Sequence, residues 1–320
     1  MSCGDGEHLR TARSREPASA TRRDWGQTVS VKTVVITGGG RGLGRATAER
    51  LAGRGHRVVL VARTITAAQR ATREILSASP SAKVEPRALD LASIHAVRTF
   101  AEDLAVDFDH VDVLMNIAGV MQTSRTRRTT PDGLEETLAV NTLAPFLLTN
   151  LLLPVLERSG SARVVNVSSQ LHMPGSRGGS VSFDFDDPQL EHGYDPDRAY
   201  KNSKLAVLWF TYELQRRLTG RSITANAMCP GFVPATAAAS TKGAMRWFMA
   251  HVMPLMPFAT SVSEATDSME FMAIDPTLEG VGGKYFLDRA EVSSSPESYD
   301  AEKAVRFWRL AEELTGFHSN

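Results

Sequence analysis

The hydrophobic residues of this chain fall into short β-branched runs that alternate with longer stretches in which apolar positions recur at helical spacing. Residues 34–36 (VVI) are stiff and strand-favouring, with no polar residue among them, as expected for a parallel strand buried on both faces. Leu43, Thr47 and Leu51 continue at helical spacing, and a second apolar run occupies residues 58–62. We therefore predict a βαβ unit at this point of the chain.

The same alternation continues towards the C-terminus. We predict helices near residues 66–78, 93–106, 134–157, 200–218, 263–274 and 301–314, and strands at residues 84–89, 111–116, 162–168, 222–228 and 283–287. Such alternation is typical of an α/β fold with a single Rossmann-type doubly wound parallel sheet of about seven strands and helices on both faces. Pro86 lies inside the third strand and cannot donate a ladder hydrogen bond, which places that strand at an edge.

Residues 1–28 are polar and lack this periodicity, so we predict a disordered N-terminal tail in front of a single domain at residues 29–320. Five arginines in the tail are diluted by four acidic residues, which does not favour a nucleic-acid-binding arm. Over the whole chain, Lys plus Arg and Asp plus Glu both number 36, and the formal net charge is zero. We therefore expect neither nucleic acid nor an anionic membrane as a partner.

The chain contains two cysteines, Cys3 and Cys229, which are too few for a disulfide framework and lack the spacing of a metal site. We expect no metal and a reducing, cytoplasmic environment. No apolar run reaches the roughly 18 residues of a membrane span. The N-terminus also lacks the apolar core of a signal peptide.

A glycine-rich stretch follows the first predicted strand in TVVITGGGRGLG, residues 33–44. Gly38, Gly40, Gly42 and Gly44 remove every second Cβ, so that backbone amides can approach a pyrophosphate at the start of the next helix. The strand before and the helix after supply the context that a nucleotide-binding turn requires. The alternative is an ordinary strand-to-helix turn.

A second group of polar residues lies at the end of the strand at 162–168 and at the start of the helix predicted at 200–218. Tyr200 and Lys204 are four residues apart and share one face of a predicted helix, although YxxxK alone is a frequent accident. Ser168 and Ser169 end the strand and precede the loop that leads to Tyr200. Because active sites in open α/β sheets lie beyond the carboxyl ends of strands, Ser169 is placed where a substrate carbonyl could meet it.

The glycine spacing GxxxGxG resembles the short-chain dehydrogenase/reductase family, whose TGxxxGxG pattern matches Thr37 to Gly44. The resemblance implies a strand order 3-2-1-4-5-6-7 and hydride transfer between a nicotinamide and a carbonyl or alcohol. It also implies a catalytic set, which consists of Asn141, Ser169, Tyr200 and Lys204.

In this family the serine hydrogen-bonds the carbonyl oxygen and the tyrosine gives or takes the proton, which implies these roles for Ser169 and Tyr200. A lysine ammonium and the oxidised nicotinamide both favour the phenolate. The resemblance further implies that Lys204 holds the nicotinamide ribose and that Asn141 positions a water in a proton relay. Alternatively, Asn141 is a buried structural residue that caps a distortion of the helix, and this role is compatible with the catalytic one. Ser168 is the more structural of the two serines.

The choice of cofactor depends on the end of the second strand, which reads Val61, Ala62, Arg63, with no Asp or Glu until Glu74. An acidic residue there would bind the ribose 2′-hydroxyl of NAD(H), whereas arginine accommodates the 2′-phosphate of NADP(H). Arg41, inside the glycine turn, is a second basic residue. These residues favour NADP(H) over NAD(H), and two solvated surface arginines are the alternative.

Further cofactor-binding positions follow from the resemblance. Asn116, Ala118 and Gly119 match the family's NNAG turn, although Ile117 replaces its second Asn. The predicted cofactor-binding residues are Thr37, Gly38, Gly40, Arg41, Gly42, Leu43, Gly44, Arg63, Asp90, Leu91, Asn116, Ala118, Gly119, Tyr200, Lys204, Pro230, Gly231, Val233 and Thr236.

Several features resemble the retinol-dehydrogenase-like branch of the family. They are the 30 residues between Ser169 and Tyr200, and the FDFDD, NSKLA, SPESYD and EELTG stretches. His172 is interpreted as a loop or pocket-wall residue, not a general base. In this family the segment at about 232–260 covers the substrate, and here residues 245–258 (MRWFMAHVMPLMPF) contain one formal charge.

Such an apolar, methionine-rich segment predicts a bulky apolar ketone, aldehyde or alcohol as substrate. A core helix or an oligomer contact, as in a homodimer, is the alternative for residues 245–258.

Two other functions are alternatives to an oxidoreductase. A non-catalytic NADPH-binding regulator would need the glycines but not the catalytic set, and an epimerase or dehydratase of the extended branch would carry a GxxGxxG turn and a larger C-terminal domain.

Overall fold

An eight-stranded sheet runs through the computed structural model, which describes residues 30–175, 181–239, 243–256 and 258–318; the predicted tail at residues 1–28 lies outside them. The strand order is β3-β2-β1-β4-β5-β6-β7-β8, and every neighbouring pair is parallel except β7 and β8. The strands are β1 Thr33–Thr37, β2 Arg57–Ala62, β3 Lys83–Ala88, β4 Val113–Asn116, β5 Ala162–Val167, β6 Ile223–Cys229, β7 Tyr285–Leu287 and β8 Ala290–Glu291. The predicted doubly wound sheet is confirmed, and β3 with its Pro86 lies at the edge.

The short strand β8 adds one strand to the predicted seven. It pairs antiparallel with β7 through a tight turn in which Asp288 and Arg289 have φ values of 46° and 61°. Two consecutive residues in this left-handed region are the signature of a two-residue hairpin turn. Neither residue is glycine, which explains why the sequence did not indicate a hairpin here.

The described residues contain ten α-helices, and the longer ones cover the two faces of the sheet. They are α1 Gly42–Gly53, α2 Ile65–Ala78, α3 Ile94–Asp107, α4 Glu136–Leu138, α5 Ala144–Glu157, α6 Pro196–Arg217, α7 Pro234–Ala239, α8 Gly243–His251, α9 Val262–Ile274 and α10 Ala301–Thr315. The single helix predicted at 134–157 is observed as α4, a π-helical turn at Ala139–Leu143, and α5. Helices α7 and α8 lie where the sequence indicated only an apolar segment.

Side chains of β1 alternate between two hydrophobic cores. Val34 and Ile36 pack in the core beneath α1, α2 and α9, whereas Val35 packs in the core beneath α3, α5, α6 and α10. All three are completely buried. Burying each such side chain stabilises the fold by roughly 1.5–3 kcal/mol, so the sheet is held from both sides.

The helical stretch Glu136–Glu157 requires a correction to the expectation that no segment is apolar enough for a membrane span. In the described part of the chain, this stretch alone has that length and composition, with a mean hydropathy of 1.7 over an 18-residue window. That window is 83% buried inside the protein. Because α5 lies between the sheet, α3 and α10, core packing accounts for its apolar composition.

Candidate active site

The turn between β1 and α1 uses its glycines in two different ways. A Cβ on Gly44 would collide with the carbonyl oxygen of Gly38, and a Cβ on Gly38, where φ is +74°, would lie 2.9 Å from the Cα of Ala118. These two glycines allow close packing of backbone. Gly42, where φ is +58°, would place its Cβ in open space, with no atom within 4 Å. This side of the turn is therefore open to a ligand.

Thr37 and Gly39 support the turn from within the protein. The Thr37 hydroxyl accepts hydrogen bonds from the backbone N–H of Ile117 at 3.1 Å and of Ala118 at 3.3 Å, which fixes the β4 turn against the β1 turn. A Cβ on Gly39 would lie 2.7 Å from the Cγ of Leu60. Gly39 was not among the predicted site residues, although it belongs to the same glycine run.

Two arginines lie near the open side of the turn. Arg41 directly precedes α1, and Arg63 directly follows β2, the parallel neighbour of β1 in the sheet. Both side chains are exposed, and neither guanidinium is within ion-pair distance of a carboxylate in the described residues. Asp90 is exposed and accepts a hydrogen bond from the Ala92 N–H at 3.0 Å. The positive charge of the arginines is thus available to an anionic ligand.

Asn116 points away from this edge of the sheet, although it belongs to the predicted cofactor-binding turn. Its Nδ2 donates to the Oγ1 of Thr149 at 3.1 Å and to the Oδ1 of Asn166 at 2.8 Å. Asn166 in turn donates to Thr211 on α6 at 3.0 Å. The Asn116 amide therefore joins the sheet to α5 and α6, and the neighbouring Ala118 and Gly119 are better placed to meet a ligand.

Asn141 lies in the π-helical turn and is buried. Its Oδ1 accepts from the N–H of Val120 at 2.7 Å, and its Nδ2 donates to the carbonyl oxygen of Val120 at 2.9 Å and to the Oγ of Ser203 at 3.0 Å. The side chain thus fastens the loop after β4 to α6, which is the structural role considered as an alternative. Single π-turns inside helices frequently occur at functional sites.

Gly119 shows that Asn141 and Lys204 approach the same point. A Cβ on Gly119 would lie 3.3 Å from the Oδ1 of Asn141 and 3.5 Å from the Nζ of Lys204. The loop after β4, the π-turn and α6 therefore converge, although the three residues are far apart in sequence. Gly119 is exposed, so this point can be reached from solvent.

Helix α6 carries both Tyr200 and Lys204. The N-terminus of α6 is stabilised in two ways. The Asp195 side chain caps it by accepting a hydrogen bond from the Arg198 N–H at 2.8 Å, and Pro196 occupies its first turn. The buried Nζ of Lys204 donates to the carbonyl oxygen of Val167 at 2.9 Å. It lies 5.7 Å from the centroid of the half-buried Tyr200 ring. Burial lowers the pKa of Lys204 to about 8.

The two serines after β5 have different partners. The buried Ser168 hydroxyl donates to the carbonyl oxygen of Lys204 at 2.8 Å and so holds β5 against α6. The half-buried Ser169 hydroxyl accepts from the Leu171 N–H at 3.2 Å, as the cap of a 3₁₀ turn at Gln170–His172. An accepting role leaves its hydroxyl proton to donate to a carbonyl oxygen.

The turn after β6 contains Pro230 and Gly231. Gly231 has a φ of +79°, and a Cβ there would collide with the hydroxyl of Thr260. The Thr260 N–H donates to the carbonyl oxygen of Phe232 at 2.8 Å, so Thr260 closes this turn from a distant part of the chain. The sequence contained no signal for that role. Val233 is buried, whereas Thr236 is exposed on α7.

The apolar segment that follows is largely exposed. Trp247 on α8 is 61% exposed, and Leu255 and Phe258 are 80% and 62% exposed. The core-helix alternative is therefore wrong for this part of the chain. The backbone of Phe232 pairs with that of Ala259, which ties both ends of the segment to the turn after β6.

The described residues fit a dinucleotide. Gly42 leaves open space in front of a helix N-terminus, where backbone N–H groups bind phosphate. Gly119 leaves space beside the Lys204 ammonium, which can donate to ribose hydroxyls. Both lie at the carboxyl edge of the sheet, on either side of the point where the strand order reverses at β1 and β4.

Comparisons with known proteins agree with this geometry. The sequence profile of the short chain dehydrogenases matches residues 32–181. Human retinol dehydrogenase 13 is 35% identical over 304 residues, which cover 91% of this chain and 87% of that protein. A crystal structure of an uncharacterised Mycobacterium paratuberculosis protein has a TM-score of 0.67 and 34% identity, covering 89% of this chain and 93% of the other.

A second similar structure contains a cofactor. This protein, assigned as an NAD(P)-dependent gluconate 5-dehydrogenase from Beutenbergia cavernae, holds NADP at low occupancy, and its TM-score is 0.63 at 28% identity. It covers 80% of this chain and 94% of its own.

Proposed function

The chain belongs to the short-chain dehydrogenase/reductase family, in its retinol-dehydrogenase-like branch, and we propose that this nicotinamide-dependent oxidoreductase uses NADP(H) to interconvert the carbonyl and alcohol forms of a bulky apolar small molecule. The observation that carries the proposal is the convergence of Gly119, Asn141 and Lys204 beside Tyr200 at the carboxyl edge of the sheet. A regulator that only binds the cofactor would not need this arrangement.

The polar residues of the site have distinct chemical tasks. Bound nicotinamide would supply the hydride donor or acceptor. The Ser169 hydroxyl would donate to the substrate carbonyl oxygen, where negative charge develops during reduction. The Tyr200 hydroxyl would transfer the proton, since the Lys204 ammonium 5.7 Å from its ring centroid favours the phenolate over the phenol.

Lys204 and Asn141 would complete the site. Lys204 uses one of its three donors on Val167, which leaves others for ribose hydroxyls. Asn141 keeps the loop after β4 at the correct distance from α6 through its bonds to Val120 and Ser203. In this proposal Asn141 also positions a water next to Lys204.

The preference for NADP(H) is supported by Arg41 and Arg63. Both side chains are exposed and available for a 2′-phosphate, and no carboxylate follows β2 before Glu74, which is paired with Arg45 at 2.9 Å. The similar structure from Beutenbergia cavernae holds NADP at low occupancy.

The substrate class is supported by the segment at residues 232–260, which we propose covers the substrate. It contains no Asp or Glu, and large apolar side chains occupy α8 and the turn after it. The name of the human relative, a retinol dehydrogenase, points to a bulky apolar alcohol for that protein. A cytoplasmic location, a homodimer and the disordered tail remain predictions.

A kinetic screen tests the proposal. NADPH oxidation is measured with ketones and aldehydes, and NADP⁺ reduction with the matching alcohols, in a series of increasing alkyl length. We expect kcat/KM to rise with apolar size, because each buried CH₂ contributes about 0.8 kcal/mol. A preference for small charged carbonyls would contradict the substrate class, and absence of turnover with every carbonyl and alcohol would contradict the oxidoreductase.

A further inference from the structure

His172 lies three residues after Ser169 and is completely buried, yet it has no place in the chemistry described above. Its Nδ1 is hydrogen-bonded to the backbone carbonyl oxygen of Ser169. Its Nε2 accepts from the backbone N–H of Ser295 at 3.1 Å, across 123 residues of sequence. Both ring nitrogens are thus used inside the protein, and neither is available as a general base.

These two partners determine the tautomer of His172. A carbonyl oxygen can only accept, so Nδ1 must carry the proton. A backbone N–H can only donate, so Nε2 must present its lone pair. The imidazole is therefore neutral, and a protonated ring would turn an N–H towards the N–H of Ser295.

The segment that contains Ser295 is fixed to α6. The Trp209 Nε1 donates to the carbonyl oxygen of Glu297 at 2.9 Å, and the hydroxyls of Tyr212 and Ser294 are 2.7 Å apart. Trp209 and Tyr212 lie on the same helix as Tyr200 and Lys204. A continuous chain of contacts therefore runs from α6 through residues 294–299 and His172 to the backbone of Ser169.

We infer that His172 is a positioning residue, which holds the Ser169 turn in register with Tyr200 by linking it to the C-terminal segment at 294–299. This inference rests on the proposed function, in which Ser169 and Tyr200 act on the same oxygen atom. A displacement of about 1 Å between two such groups can reduce turnover by about 10²-fold. His172 thus acts through Ser169 and touches neither substrate nor cofactor.

The surroundings of His172 favour its neutral form. Its ring packs nearly perpendicular to that of Tyr285 of β7, with centroids 5.2 Å apart. The titratable groups around this ring pair are Cys229 at the end of β6, which interacts with Tyr285 and with the backbone of Gln170, and Tyr212 on α6, which interacts with Tyr285. Lys204 on α6 lies on the far side of Cys229 and interacts with it. Burial lowers the pKa of His172 below its usual value, and burial raises the pKa of Cys229. No carboxylate forms an ion pair with His172 in the described residues.

Position 295 offers a matched pair of variants. Ser295 has a φ of −63°, which proline adopts without backbone strain, so Ser295→Pro removes the N–H donor. The proline Cδ takes the place of that hydrogen and pushes the His172 ring out of the contact. Ser295→Ala keeps the N–H, and the Ser295 hydroxyl has no hydrogen-bond partner in the described residues. We expect Ser295→Pro to lower kcat about 10-fold or more and Ser295→Ala to keep it, with the Kd of NADPH unchanged in both.

Two substitutions of His172 test the other side of the contact. His172→Phe keeps the ring against Tyr285 but loses both hydrogen bonds, and should lower kcat at least as much as Ser295→Pro. His172→Asn can still donate to the Ser169 carbonyl, and should retain part of the activity. Melting temperatures are measured for all variants, and if His172→Phe does not fold, the Ser295 pair carries the test.

A pH profile separates positioning from general stability. In the wild type we expect kcat to fall in acid as His172 becomes protonated, at a pH below the usual histidine range. Ser295→Pro removes the N–H that opposes protonation of the His172 Nε2, so the fall of kcat in acid should occur at higher pH. His172→Asn has no titrating group at this position, so its kcat should not show this fall.

All assays use a carbonyl substrate that the wild type has been shown to reduce. Failure to find any such substrate would contradict the proposed function, whereas wild-type kcat in folded Ser295→Pro and His172→Phe would overturn the role of His172. Equal losses in Ser295→Pro and Ser295→Ala would also overturn it, because the hydroxyl and not the N–H would then matter.

Discussion

The Nζ of Lys204 lies 5.7 Å from the centroid of the Tyr200 ring while it donates to the carbonyl oxygen of Val167 at 2.9 Å. The ammonium is therefore anchored to β5 and directed towards the tyrosine at the same time. A buried cation near the ring favours the negative phenolate over the phenol. In the proposed function, this relationship is the reason for assigning the proton transfer to Tyr200.

Replacing Tyr200 by Phe should lower kcat by about 10² or more, since the proton-transfer group is lost, while the Kd of NADPH changes little. Steady-state kinetics on a confirmed substrate and fluorescence titration of NADPH measure the two effects. Tyr194→Phe is the control, because it removes a hydroxyl that lies 3.4 Å from Glu135 and has no proposed catalytic role. Wild-type turnover in Tyr200→Phe would contradict the assignment.

Replacing Lys204 by Met should abolish turnover yet stabilise the protein at pH 7. The pKa of Lys204 is lowered from 10.5 to about 8 by burial, so below pH 8 the folded protein holds a buried ammonium. Between pH 8 and pH 10.5 the unfolded chain binds more protons at this lysine than the folded protein does. The free energy of unfolding of the wild type should therefore rise with pH in this range. We expect a gain of roughly 1–3 kcal/mol at pH 7 in the variant, reduced by the lost bond to Val167.

Melting temperatures at pH 7 and at pH 10.5 measure this effect, and the difference between variant and wild type should shrink at the higher pH. Lys201→Met is the control, because Lys201 is also buried but pairs with Asp197 at 3.8 Å. A variant of Lys204 that melts below the wild type at pH 7 would show that the buried charge is not costly.

Replacing Arg63 by Asp should weaken NADPH binding several-fold more than NADH binding. A charge-assisted contact to the 2′-phosphate is lost and a repulsion is added, whereas the 2′-hydroxyl of NADH gains an acceptor. The Kd values of both cofactors are measured by fluorescence or calorimetry. Arg309→Asp, which changes the same charge on the exposed face of α10, should leave both Kd values unchanged. Equal affinities of the wild type for NADH and NADPH would contradict the preference.

Replacing Gly119 by Ala should weaken cofactor binding about 10-fold or more with little loss of stability. The new methyl group would occupy the space 3.5 Å from the Lys204 Nζ and 3.3 Å from the Asn141 Oδ1, where the proposed ribose contact lies. Gly53→Ala, at the end of α1 with no atom within 4 Å, is the matched control. If Gly119→Ala binds NADPH as tightly as the control, this space does not hold the cofactor.

Some features of the site depend only on contacts that the sequence cannot display. The Asn116 amide turns towards Asn166 and Thr149, so a match to a family turn did not reveal its direction. Thr260 fills the space left by Gly231, and His172 meets Ser295. In each case the partner lies at least 29 residues away along the chain. The local sequence pattern therefore does not indicate which side chain makes the contact.

The sequence by itself determined the alternation of strands and helices, the edge position of β3 through Pro86, and the shared helix face of Tyr200 and Lys204. These follow from nearest-neighbour properties: β-branched runs, a missing N–H and a four-residue spacing. Tertiary structure alone decided that the helix at 134–157 contains a π-turn, that β8 forms, and that α8 is exposed. The reason is physical, since hydrogen bonds and packing between distant segments outweigh differences in local propensity of less than about 1 kcal/mol per residue.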